Sequence, residues 1–511
     1  MIIRRINMKK QLALMLALVA VSGTFAGCGG KNSGGEGGNG LYQATVEDYN
    51  GSLKRENADL TVTFELGGYG DQWIVDLKNE FQNATGKTVY LEGEKGISSY
   101  APDRWESGKQ CSDVFVIDEG HTPWVEVAKG FVEDISDVMT SEVENGKTVN
   151  DLIYDSFANY GEKDGKTYFL PWTVGVGSFY YNTEILAQAG WTTPPKTYND
   201  LLELVDDINN LPCNKDSNTS NDIAPFAWSG KQANYWQYLV DTWFAQIVGL
   251  DNYKYYEQMD NEKFYDPSYT WTNPETNETV NFAAAKQEAL ALLEGLVVNP
   301  ASKQVINSIF GYATLDYLFV QTEFAEGKAA MCPNGAWLER ELANGGIPED
   351  MLECISVMSV PFAPNAKKDA SGNYIQINNT LSYNYVCIPE KASHKDLAKQ
   401  FLLFSLKESN LKSFTYESYG FRPFKYEVNT ASLSFCAAQI REIILSAEAT
   451  QSNFTFNSKG TLSLNGYATS IGWLYNAFGN MLTGSVDSRK SAAQCIAEEK
   501  KQANLIFANY N

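Results

Sequence analysis

The side chains able to do chemistry in this chain are mainly carboxylates and aromatic rings. There are 62 acidic residues against 40 basic ones but only two histidines, His121 and His394. A histidine-rich metal site or a histidine-based triad therefore has little material. Apart from Cys28, the cysteines (Cys111, Cys213, Cys332, Cys354, Cys387, Cys436 and Cys495) are odd in number, widely spaced and free of any Cys-x-x-Cys pair. That pattern is neither a disulfide framework nor a zinc site, and most of them read as small buried apolar residues. Gly165-Lys166-Thr167 falls short of a phosphate loop, because Gly161 and Gly165 stand one residue too close and a strand follows. The acidic loop 214–222 lacks the glycine and terminal glutamate that a calcium loop needs. Neither a metal nor a cofactor is expected.

Aromatic residues make up 13% of the chain and often fall outside apolar periodicity. A tryptophan or tyrosine face covers the C–H patches of a sugar, while carboxylates, amides and arginine take the hydroxyls, which must find partners once desolvated. A largely formed cleft with aromatic walls and a few placed polar groups suits a small ligand. The formal charge of −22 repels polyanions, so nucleic acid is excluded as a partner and a neutral or cationic ligand fits better. Carboxylates flanking a sugar would also suit a glycoside hydrolase, although neither spacing nor order marks such a pair.

The elements that must position these groups follow an α/β pattern. Leu60 to Leu66 alternates as a strand and breaks at Gly67-Gly68-Tyr69-Gly70; Asp71 to Ala84 then sets Ile74, Leu77 and Phe81 on one helical face. Lys87 to Leu91 and Asp113 to Asp118 read as further strands, giving strand–helix units on a largely parallel sheet. Ligands sit beyond the carboxyl ends of such strands. This makes Tyr69 and Asp71 after the first strand, and Asp118 and Glu119 after the third, candidate ligand contacts, with helix capping as the alternative for the acids. Asp164-Gly165 marks a hairpin turn. About 450 residues beyond Asp59 exceed one core and point to two lobes.

At the N-terminus, Arg4, Arg5, Lys9 and Lys10 precede an apolar run from Leu12 to Val21 that is too short to span a bilayer. The run ends in Phe25-Ala26-Gly27-Cys28, which resembles the lipobox of bacterial lipoproteins. The resemblance implies a signal peptide over 1–27 and acyl chains on Cys28, holding the chain at the extracytoplasmic face of the cell membrane. Loss of the four basic groups would leave a charge of −26. Residues 28–58 begin with a glycine-rich run that has no apolar face and reads as a flexible tether.

Phe179 to Glu184 with Ala189-Gly190-Trp191 and Pro194 to Tyr198, then Phe324 to Met331 with Gly335-Ala336-Trp337, then Ile388-Pro389 with Ser393 to Ser405, occur in that order. The set resembles the extracellular solute-binding proteins of the family that includes maltodextrin-binding protein. The resemblance implies a two-lobe periplasmic-binding-protein-like (type II) fold with a multi-strand hinge. One lobe would comprise residues 59–172 and 376–420, the other 173–375 and 421–511. Crossings would fall near 172–174, 369–377 and 418–422. It further implies a monomeric, non-enzymatic receptor that captures a carbohydrate, an oligosaccharide in particular, and delivers it to the permease subunits of an ABC transporter. A peptide or polyamine on the same fold remains the alternative. Trp172 at the hinge and Trp337 at a helix start become sugar platforms; Asn234, Trp236 and Trp473 match further contacts, and Arg422 at the third crossing offers a fork of donors.

Overall fold

A computed structural model describes residues 46–118, 123–215, 219, 222–380, 384–455, 457, 459–460 and 479–508. Two sheets organise it. Their strands are β1 (Leu60–Glu65), β2 (Val89–Glu94), β3 (Val114–Asp118), β4 (Phe169–Pro171), β5 (Ser178–Asn182), β6 (Ala224–Phe226), β7 (Ala329–Asn334), β8 (Ile355–Val357) and β9 (Asn384–Cys387). The five-stranded sheet runs β2-β1-β3-β9-β4 and the four-stranded sheet β6-β7-β5-β8. β1 is parallel to β2 and β3, but β9 is antiparallel to both β3 and β4. The first sheet is thus mixed rather than largely parallel, because the chain leaves it after β4 and returns in the opposite sense.

The alternation in β1 has a direct physical use. Leu60, Val62 and Phe64 join the core. The intervening polar side chains are also buried and find partners: Thr61 Oγ1 donates to Asp113 Oδ2 at 2.7 Å, and Glu65 accepts the backbone N–H groups of Gly96 and Ile97 at 2.6 and 2.9 Å. α1 (Gln72–Thr85) buries Trp73, Ile74, Leu77 and Phe81 against this sheet and stops at Gly86 in the left-handed conformation. The expected hairpin forms between Glu162–Lys163 and Lys166–Thr167, and both turn residues, Asp164 and Gly165, have positive φ.

The second sheet carries a helical layer of α2 (Gln237–Val248), α3 (Leu250–Glu257) and α4 (Phe282–Val297). α5 (Leu338–Asn344) follows β7. After β9 come α6 (Lys395–Ser405) and α7 (Glu408–Ser418), the latter packed on α1 of the first sheet. α8 (Phe435–Thr450) then packs on β8 of the second sheet, and α9 (Ala492–Ala508) covers α4. Under α9, Lys286 pairs with Glu499 and donates to Tyr256 Oη at 2.6 Å, with both charged side chains buried.

Three backbone hydrogen bonds hold the chain where it leaves the first sheet for the second, the first of them prolonging the β4–β9 pairing. Trp172 N–H donates to Asn384 O at 2.8 Å, Val174 N–H to Phe421 O at 2.8 Å, and Gly177 N–H to Asn379 O at 3.0 Å. A short strap adds to this: Asn457 accepts from Trp124 Nε1 at 2.8 Å and donates to Tyr160 O at 2.7 Å on one side, while its N–H reaches Glu257 at the end of α3 on the other. All seven cysteines from Cys111 onward are free, and Cys332, Cys387, Cys436 and Cys495 are buried.

Candidate functional site

The loop after β1 lies directly on the start of α5. A Cβ added at Gly68 would stand 2.8 Å from Trp337 Cβ, and one at Gly175 would stand 2.5 Å from Ala336 Cβ. Only residues without a side chain allow this approach. It brings Tyr69 edge-on to Trp337, with ring centroids 6.4 Å apart, and against Phe414 at 6.0 Å. On its other flanks Trp337 meets Tyr235 at 6.3 Å and Tyr238 at 6.4 Å, and these two tyrosines stack on each other at 5.8 Å. Four aromatic rings, one from the first sheet's loop and three from the second sheet's helices, therefore share one seam. Tyr69 and Tyr238 are buried, whereas Trp337 and Tyr235 keep part of their surface open.

Polar groups border the rings. Glu341, one turn along α5 from Trp337, is pushed up to about 7 by burial, opposed by the nearby Gln321 amide and Lys95. Glu341 Oε2, Arg340 Nε and both amide atoms of Gln321 are buried without a hydrogen-bond partner of good geometry. Such groups are costly to leave unpaired. Two donors and two acceptors beside an aromatic cluster can take the hydroxyls and cover the C–H face of a polar, non-ionic ring.

Of the residues marked from sequence, Tyr69 and Trp337 come together. Trp172 and Arg422 form a second group, with the Arg422 guanidinium 3.5 Å above the Trp172 ring. Arg422 is only 1% exposed, and burial lowers it to about 9. Asp71 lies at the head of α1 and accepts a hydrogen bond from Tyr49 Oη at 2.6 Å, an assignment within the first sheet's own elements. Asn234 is half-buried in the turn before α2. Trp236 is fully buried among Phe179, Phe226 and Trp228, in the core of the second sheet. Asp118 ends β3 in register with Asn384. Glu119, Trp473 and Cys28 lie outside the described residues.

Tyr235, Tyr238, Arg340 and Glu341 were not singled out by sequence. The signal for the tyrosines is their spacing: three residues apart on a helical turn, they share a face that the intervening Trp236 cannot.

The sequence profile of the bacterial extracellular solute-binding proteins matches residues 77–435. The chain belongs to that family. Among relatives of this solute-binding protein is the diacetylchitobiose binding protein DasA of Streptomyces coelicolor, 30% identical over 200 residues. That alignment takes in 38% of this chain and 42% of DasA, so less than half of the relative's length is matched. Among solved structures, a chitin oligosaccharide binding protein superposes with a TM-score of 0.60 at 18% identity, covering 88% of this chain and 100% of that one. The GacH receptor of Streptomyces glaucescens, solved unliganded and with acarbose, gives 0.59 at 16% identity, covering 86% and 96%. At these identities the structural likeness establishes the shared two-domain α/β fold of the solute-binding protein.

Proposed function

We propose that this solute-binding protein is the carbohydrate receptor of an ABC importer, closing two lobes over an oligosaccharide and handing it to membrane permease subunits. The observation that carries the reading is the seam of Tyr69, Trp337, Tyr235 and Tyr238, bordered by buried polar atoms of Arg340, Glu341 and Gln321 that lack partners of good geometry. A sugar between the lobes would stack on the rings and satisfy those atoms, and water would be excluded as Gly68 meets Trp337. Ligand shifts such an equilibrium only through better contacts in the closed form, and the seam draws on both sheets, so closure and binding are one event.

The lobes assigned to this motion are residues 59–172 with 376–420 and residues 173–375 with 421–511. The chain acts as a monomer without catalysis, anchored through acylated Cys28 after removal of residues 1–27. DasA and the chitin oligosaccharide binding protein make N-acetylglucosamine oligosaccharides the first ligands to try.

A thermal-shift screen against chito-, malto- and xylo-oligosaccharides, peptides and polyamines tests the reading, since a ligand of the folded state raises Tm by mass action. A shift with one glycan series and no product on chromatography is expected. Shifts confined to amines or peptides would remove the sugar assignment, and release of shorter sugars would remove the non-enzymatic one. Intact mass of the membrane-extracted protein, starting at Cys28 with added acyl mass, checks the anchor.

A further inference from the structure

We infer that the chain holds a single small anion, of halide size and charge, in a cavity between Arg422 and Trp172. The cavity is lined by Trp73, Leu77, Trp172, Ser405, Asn410, Ser413, Phe414 and Arg422, and its volume of about 10 Å³ admits one solvent-sized particle. Ser405 and Asn410 donate to Leu402 O and Phe404 O, at 2.7 Å each, so the unmatched groups of the lining are the donors of the other wall. Arg422 Nε, Arg422 Nη2 and Trp172 Nε1 are all buried donors without a partner. Three free donors on two lining residues call for an acceptor, and a buried guanidinium calls for negative charge.

No carboxylate among the described residues meets that need. Among the described residues the Tyr426 hydroxyl favours the charged form of Arg422, but it already accepts the Arg422 backbone N–H at 3.2 Å and shares a 2.7 Å bond with Thr415. The Trp172 ring stabilises the cation through its face but leaves the in-plane N–H groups unsatisfied. Asn410 and Ser413 enter the cavity from α7, with Asn410 in that helix's first turn, where the backbone dipole also favours an anion. Water would use the donors yet leave the charge uncompensated; sulfate or phosphate exceeds the space. Chloride supplies the missing charge with the smallest increase in size over water. The site joins the end of β4 to the segment that hydrogen-bonds Val174, so the ion would brace the hinge side of the first sheet.

The test is the Tm of the purified protein as sodium chloride replaces sodium gluconate at constant ionic strength. A saturable rise is expected, of about 1–2 °C per tenfold chloride above Kd for a chain of this size. Bromide should reproduce it and sulfate should not, and Arg422→Met should abolish it. Equal Tm in chloride and gluconate, or an unchanged rise in Arg422→Met, overturns the inference. Should Arg422→Met fail to fold, the wild-type protein decides alone. Excess ³⁵Cl line broadening displaced by bromide, and a bromide peak beside Arg422 Nε in soaked crystals, are expected. Water in that position, or no excess broadening, overturns the inference.

Discussion

Trp337 and Trp236 offer a sharp test, because both were marked as sugar contacts from sequence and the structure gives them different surroundings. Trp337 is half-open at the seam and touches Tyr69, Tyr235 and Tyr238, whereas Trp236 is sealed within the second sheet's core. If a sugar covers about 100 Å² of the Trp337 ring, removing that face at about 25 cal/mol per Å² costs about 2.5 kcal/mol, or roughly 70-fold in Kd. Trp337→Ala should therefore lose about 30- to 150-fold in affinity for the oligosaccharide that shifts Tm most. Trp337→Phe should recover part of it. Trp236→Ala instead creates a core cavity and should cost about 3–5 kcal/mol of stability, with near-normal affinity in whatever fraction remains folded. Isothermal titration calorimetry on both variants, beside denaturant melts, separates the two. Trp337→Ala binding within about threefold of wild type would refute the placement of the sugar on this ring, whatever the stability result.

Other consequences follow from packing and charge. Gly68→Ala puts a methyl group against Trp337 and should oppose closure at an overpacking cost of about 1–3 kcal/mol, seen as weaker binding and a larger radius by small-angle scattering. Glu339 is 3% exposed, accepts from Ser434 Oγ at 2.7 Å and is pushed up to about 7 by burial. Its folded pKa lies above the usual 4.5, so its contribution is complete below about pH 4.5 and fades as pH rises through about 7; Glu339→Gln should flatten that fall by up to about 3 kcal/mol in urea melts. Lys286→Met strands Glu499 and should cost about 3–5 kcal/mol, whereas Lys286→Met with Glu499→Leu should return to near wild-type stability in the same assay.

Much of the frame was legible because local rules suffice for it. Alternation over Leu60 to Glu65, the glycine break and the helical face of Ile74, Leu77 and Phe81 give β1, the loop and α1 without tertiary information. The direction of β9 was not legible, since nothing in Asn384-Tyr385-Val386-Cys387 states which way its partners run. The seam was half legible. Tyr69 and Trp337 stand at ends of elements, where site residues concentrate, but the orientation of Trp236 depends on where its short helical turn begins. Glu341 and Gln321 gain interest only from burial without partners, a property of packing between segments remote in sequence. Arg422 was visible as a donor, but its stacking on Trp172, with no acid opposite among the described residues, was not.

The strand order also sets a schedule for the birth of the fold. β9 stands between β3 and β4, so Val386 pairs with Val116 on one side and Leu170 on the other. A chain emerging from its N-terminus can zip β2, β1 and β3 early, but β4 waits without a neighbour until more than 200 further residues have appeared. Meanwhile the edge of β3 offers open hydrogen-bonding groups to any other strand. Long-range closure of this kind is slow. The interval before residue 384 arrives is when this protein is most exposed to mispairing.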